Sequence, residues 1–169
     1  MRQTLDRLYK TAGALAALCL IAILCLIVAQ MICRWSGIAF PGATAYVGYC
    51  MASASFLAFA YALNAGSHIR VSLFLNFLGE RRYWAELWCF AIGSAATVWL
   101  AYYAVEHAYG SYRWNDISQG QDKTPLWIPQ IPVAAGAILL AICFLDNLYS
   151  LIRHGRHQIA ASADSAAEV

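Results

Sequence analysis

Four long stretches without a charged side chain constrain the fold of this chain more than any other feature of its sequence. They cover residues 11–33, 35–69, 87–105 and 124–145. A helix needs roughly 20 apolar residues to cross the hydrocarbon core of a bilayer. The pattern therefore predicts an all-α integral membrane protein with four transmembrane helices, at about 12–33, 45–65, 87–105 and 126–146.

Composition agrees with this class. Hydrophobic residues make up 62% of the 169 residues, charged residues 12%, and the mean hydropathy is +0.56. Ordinary soluble domains carry about 25% charged residues, so a soluble globular protein and a disordered chain are both excluded. A net charge of +2 without a basic cluster excludes nucleic-acid binding. We expect a single membrane domain over 1–155 and a flexible C-terminal tail over 156–169.

The first charge-free stretch could instead be a signal peptide, because Arg2, Arg7 and Lys10 precede an apolar run. That run is far longer than the ~7–15 residues of a signal-peptide core. We therefore expect a retained helix.

The basic residues predict the orientation, because they favour the cytoplasmic side of a membrane. Three segments that share one side hold eight of the eleven: Arg2, Arg7, Lys10, Arg70, Arg81, Arg82, Arg153 and Arg156. The other side holds Arg34, Arg113 and Lys123. Both termini are therefore expected in the cytoplasm. The polar segment 106–123 is expected on the outer side as a solvated loop, with contact to a soluble partner as the alternative.

The segment 69–78, in the cytoplasmic connection, is apolar except for a narrow polar strip. Ten helical residues span only about 15 Å, so we predict a short helix in the membrane interface. The neighbouring Arg70, Arg81 and Arg82, with His68, either contact anionic lipids or a partner, or serve only as topology signals.

The start of the fourth span contains Pro125, Pro129 and Pro132. Prolines are best tolerated in the first turn of a helix. We expect an extended segment up to about Pro132, with Trp127 as an anchor at the interface and a further candidate for lipid or partner contact.

Small side chains recur at helical spacing in the second span and allow helices to approach closely. The candidate packing faces are Gly48, Ala52, Ser55, Ala58, Ala62 and Gly66, with Gly93 and Thr97 in the third span. They serve either packing within the four helices or docking onto a second membrane protein.

The sequence lacks the residues of a catalytic or cofactor site in the membrane. No charged residue or histidine lies deep in a span, where a carrier places its proton or substrate site. The six cysteines form no C-x-x-C pair, and the four histidines do not face each other at one depth. We therefore expect no enzyme activity, metal or cofactor. For Cys33 and Cys50 there are two alternatives: they form a disulfide with each other, or both are small apolar residues.

Two segments carry a resemblance to a known family: Gly66-Ser67-His68-Ile69-Arg70-Val71, and Pro125-x-Trp127 leading into Pro132-x-x-x-Gly136. With four spans and both ends inside, the chain resembles the small membrane subunit of TRAP (tripartite ATP-independent periplasmic) transporters over about residues 5–155. It departs from the family at 40–46, where a tryptophan and acidic residues are common, and this leaves the substrate subgroup open.

The resemblance implies a non-catalytic subunit in a bacterial or archaeal cytoplasmic membrane. It would scaffold a large, sodium-coupled membrane subunit that takes up an organic acid, and would help dock a periplasmic substrate-binding protein. Two other classes stay open: a self-contained small homo-oligomeric transporter, and a membrane redox protein. The first needs a polar line across the membrane and the second paired cysteines or histidines.

The orientation is testable by labelling single cysteines introduced at Ser118 and Arg81 in a cysteine-free chain. A membrane-impermeant maleimide added from the periplasm should modify the first and not the second. Labelling of Ser118→Cys only after the membrane is opened would reverse the topology.

Overall fold

The computed structural model describes residues 2–64 and 82–154, which form four helices, the connection between the first two and the connection between the last two. The helices are α1 (Arg2–Trp35), α2 (Ala43–Asn64), α3 (Arg82–Arg113) and α4 (Trp127–His154). All four are long and apolar enough to cross a membrane, which confirms the predicted all-α fold with four spans. The interfacial helix predicted at 69–78 and the tail predicted at 156–169 lie outside the described residues and stay predictions, as do the single-domain division and the orientation of the termini.

Three of the helices, α1, α3 and α4, are longer than their charge-free stretches. α3 continues to Arg113 and so includes Glu106 and His107, which were expected in a loop. At about 1.5 Å per residue its 32 residues span roughly 48 Å, against about 30 Å of hydrocarbon. A charge ends the apolar stretch but does not end the backbone hydrogen-bond ladder, so the helix projects beyond the apolar layer.

The fourth helix begins within one residue of the span predicted at 126–146, but without the extended segment expected before Pro132. It starts at Trp127, and Pro132 lies inside it, so the predicted extended segment up to Pro132 is wrong. Pro129 falls in the first turn, where backbone N–H groups have no partner within the helix. Only Pro132 removes a helical hydrogen bond, and the packing of the following turns against α2 and α3 holds the helix together.

The helices pack as a row in the order α1, α2, α4, α3. α2 and α4 are the central pair, while α1 and α3 form the two flanks. The flanks are therefore mostly open: only 11% of the residues in the most apolar stretch of α1, and likewise of α3, are buried within the chain.

The central pair is held by a close backbone approach. Gly136 of α4 lies against Phe56 of α2, and a Cβ at this glycine would come within 2.6 Å of the Phe56 carbonyl carbon. The next residues of α4 contact α3, where the buried alanines Ala137 and Ala141 meet Ala101. Small side chains therefore set the spacing between α4 and both of its neighbours.

The first helix joins α2 through two clusters. Ala12 and Ala16 pack on Leu57. Nearer the N-terminus of α1, Tyr9 lies with Ala60, Leu63 and Cys143, all almost fully buried, so this cluster connects α1, α2 and α4 at one end of the row.

Three hydroxyl groups within the spans are satisfied locally. Ser53 donates to the carbonyl oxygen of Tyr49 at 2.7 Å, Ser55 to that of Met51 at 2.9 Å, and Thr97 to that of Gly93 at 2.8 Å. These bonds remove the cost of an unpaired hydroxyl in apolar surroundings. The three side chains are therefore part of their own helices rather than a polar path through the membrane.

The close approach of α2 and α4 predicts that Gly136→Ala destabilises the chain while Gly48→Ala does not. The first adds a methyl group against the Phe56 backbone, whereas a Cβ at Gly48 meets no heavy atom within 4 Å. Overpacking of this kind costs about 1–3 kcal/mol. Unfolding of the purified full chain in detergent measures both variants. Wild-type stability of Gly136→Ala would contradict the close contact.

Candidate functional site

The segment between α3 and α4 reverses sharply after the last turn of α3. The amide of Trp114 donates to the carbonyl of Gly110 at 2.9 Å, and that of Asp116 to Ser111 at 3.0 Å. Asn115 has a φ of 50°, a conformation that asparagine adopts more readily than most residues. The reversal brings residues 116–126 back beside the end of α3.

Residues 116–126 form a closed, hairpin-like loop, which we call the outer loop after the side on which the basic residues predict it. Ile117 pairs with Pro125 in an antiparallel bridge. Ser118 donates to Thr124 at 2.8 Å and Leu126 to Asp116 at 2.9 Å through their backbones. The expected solvated loop is thus an ordered element with paired backbone groups.

Asp122 anchors the outer loop to α2. Its carboxylate accepts hydrogen bonds from the Tyr49 hydroxyl at 3.0 Å and from the Ser118 hydroxyl at 2.9 Å. Desolvation by the surroundings pushes the pKa of Asp122 upward, but hydrogen bonds from Thr124, Ser118, Tyr49 and its own backbone outweigh it, and the pKa lies below the ordinary 3.8. The carboxylate is therefore ionised at neutral pH and holds two distant segments together.

Two further contacts join the loop to the start of α2. The Thr124 hydroxyl donates to the Tyr46 hydroxyl at 3.3 Å. Gly42, with a φ of +81°, lies so close to Asp122 that a Cβ there would come within 2.7 Å of the Asp122 Cβ. This position therefore requires glycine both for its backbone conformation and for space.

The predicted packing residues divide between two environments. Gly48, Ala52 and Ser55 are exposed, while Ala58 and Ala62 are half-buried. Ala58 packs on the cluster that joins α1 to α2. Gly66 lies outside the described residues.

Of the residues predicted to contact lipids or a partner, only the side chain of Trp127 is described. It is half-buried at the first position of α4, and its ring meets that of Tyr112 edge to face at 5.7 Å between centroids. His68, Arg70 and Arg81 lie outside the described residues. Arg82 begins α3, but its side chain is outside the described part. All six cysteines, Cys33 and Cys50 among them, are free thiols.

Sequence reasoning missed the anchor formed by Asp122 and Tyr49. The two residues are 73 positions apart, and no local pattern connects them. The turn-forming composition of 118–122 indicates a turn there, but not the surface against which it folds.

The fold and the ordered outer loop define a multi-pass helical membrane protein, and much of the apolar surface of its helices is not covered by the rest of the chain. Among known families, the model of the one described as "Tripartite ATP-independent periplasmic transporters, DctQ component" matches residues 23–154. The chain therefore belongs to this family: it is a small inner-membrane component of a TRAP transporter and not an enzyme. Searches among curated proteins and among solved structures found no match to the chain.

The Asp122 anchor predicts an acid-sensitive outer loop. Because its pKa in the folded chain is lowered, the stabilisation is present above the ordinary value of 3.8 and is lost as the pH falls through the lower folded value. Hydrogen-exchange protection of residues 116–126, corrected for intrinsic exchange, should fall in that range. Asp122→Asn should lower protection at neutral pH and remove the acid dependence, whereas Tyr109→Phe should change neither. Unchanged protection in Asp122→Asn would contradict the anchor.

Proposed function

We propose that the chain is the scaffold of its transporter: it packs laterally against the large, sodium-coupled membrane subunit and helps to dock the periplasmic substrate-binding protein. The observation that carries this proposal is the row of helices, which leaves both flanks and one face of α2 uncovered. A single-row arrangement gives a small chain a large lateral surface.

The uncovered face of α2 fits another helix. Exposed residues recur every three or four positions at Thr44, Gly48, Ala52, Ser55 and Phe59. Three of them are small, and the space beside Gly48 is open. In lipid, helix association depends on close packing, which small residues permit. We assign this face to the large subunit.

Substrate passage belongs to the large subunit in this proposal. The spans of this chain carry no charge in their apolar stretches, and the described hydroxyls of Ser53, Ser55 and Thr97 bond to their own helices. An organic acid would lose its hydration here without gaining a partner, at a cost of several kcal/mol. The family resemblance supplies the sodium coupling and the organic-acid substrate. Family membership disfavours both a self-contained carrier and a redox protein.

The outer loop supports a part in docking the binding protein. Asp122 holds it against α2, while Trp114 beside the loop is 76% exposed and Ile117 within it is 57% exposed. Exposed aromatic and apolar groups on an ordered element are typical of protein contact sites. The loop would face this partner if the predicted topology holds.

Reconstitution in liposomes tests which subunits are required for uptake of the organic acid. The full chain alone, with an imposed sodium gradient and a binding protein, should take up no organic acid. Uptake should require the large subunit, the binding protein and this chain together. Sodium-driven uptake by this chain alone would overturn the scaffold proposal.

The face of α2 is tested by the double variant Gly48→Leu, Ala52→Leu, which fills its small positions. Co-purification with the large subunit should fall strongly. The matched control is Ala91→Leu, Ala95→Leu, at the same spacing on an exposed face of α3. If only the control variant lost the complex, the contact with the large subunit would be assigned to α3, and the scaffold role would still hold.

A further inference from the structure

A groove lies along the second half of α3, where α3 meets α2 and α4. It encloses about 700 Å³, within the ~300–1,000 Å³ of ligand pockets. It follows α3 from Leu100 to Trp114, which at about 1.5 Å per residue is roughly 20 Å. This length and volume suit an elongated molecule rather than a compact one.

The lower part of the groove is apolar. Phe56 of α2, Leu100 and Ala104 of α3, and Val133 of α4 line it. Phe56 is held in place by packing on the Ala101–Ala137–Ala141 cluster, so the floor of the groove is preformed. These side chains offer contacts to hydrocarbon but no hydrogen bond.

The upper part is polar and acidic. Glu106 and His107 line it from α3. Asp116 lies beside them, because its amide donates to the Ser111 carbonyl and its carbonyl accepts from the Leu126 amide. Trp114 lines the far end of this part, and Gly110, which lies between His107 and Trp114 along the chain, leaves open space beside it. Among the described residues, no lysine or arginine lines the groove.

We propose that this groove binds a phospholipid whose headgroup carries a primary ammonium, as in phosphatidylethanolamine. The ammonium would pair with Glu106 and Asp116, and His107 would donate to the phosphate. The acyl chain would follow Phe56 and Leu100 downward. The polar part of the groove begins about 20 residues from the first turns of α3, roughly 30 Å along the helix, and so meets the headgroup layer when α3 spans the membrane.

Charge decides between lipid classes. Two carboxylates without a lysine or arginine repel an anionic headgroup such as phosphatidylglycerol and attract an ammonium. A trimethylated ammonium keeps the charge but cannot donate hydrogen bonds to a carboxylate, so phosphatidylcholine should bind more weakly. This site is separate from the lipid contacts predicted for the basic cytoplasmic connection.

Native mass spectrometry of the full chain in detergent tests the proposal with three lipids of identical acyl chains: phosphatidylethanolamine, phosphatidylcholine and phosphatidylglycerol. The first bound lipid should favour phosphatidylethanolamine over phosphatidylglycerol by at least about threefold, as expected for partly exposed ion pairs. Glu106→Gln with Asp116→Asn should bring that ratio to about one.

Gly110→Phe fills the groove and should abolish the first bound lipid of every class. Ala95→Phe is its control, since Ala95 is exposed on the same helix but does not line the groove, and it should bind as the wild type does. Equal binding of the three lipids by the wild type, or an unchanged ratio in the double carboxylate variant, would overturn the proposal.

A helix of the large subunit is the competing occupant. A cysteine introduced at Gly110 should be labelled by a lipid carrying a thiol-reactive acyl chain in the assembled transporter. Cross-linking of Gly110→Cys to the large subunit, with loss of lipid labelling, would assign the groove to that protein instead.

Discussion

The close backbone approach of α2 and α4 at Gly136 is the contact on which the rest of the structure depends. In a bilayer, apolar side chains gain little by leaving lipid for protein, so helix pairs rely on fit at short range. With no side chain at Gly136, α4 reaches the backbone of α2 at Phe56. Once this pair is fixed, α1 has only α2 as its main neighbour and α3 only α4.

A row of helices has consequences that a closed bundle would not have. A closed bundle buries its apolar faces against each other, whereas this row leaves two flanks and the small-residue face of α2 uncovered. The hydroxyl groups of Ser53 and Thr97 donate to carbonyls of their own helices, so these two donors are not available to a solute. Such a chain is suited to lateral packing against a larger membrane protein and unsuited to carrying a charged solute.

The outer loop adds a polar connection to this apolar row. Asp122 and Thr124 reach Tyr49 and Tyr46 of α2, so the connection between α3 and α4 is attached to the helix on the far side of α4. The same chain reversal that leads into the loop places Asp116 beside the last turns of α3. The loop's anchor and the acidic rim of the groove therefore depend on one local arrangement.

The sequence by itself determined the class of protein, the number of spans and their approximate positions. The reason is that a span only needs a charge-free stretch long enough to cross the hydrocarbon core, and this length is a local property of the sequence. It also identified the family, through the segments around His68 and Pro132. It did not determine where α3 begins and ends or where α4 ends, because charged residues such as Glu106 and Asp146 can be accommodated in a helix. Nor could it distinguish Gly48 from Gly136: both are glycines in apolar spans, yet one borders open space and the other the backbone of Phe56. The tertiary structure decided that difference, as it decided the pairing of Asp122 with Tyr49, because both depend on which helices become neighbours and not on the residues adjacent in the chain.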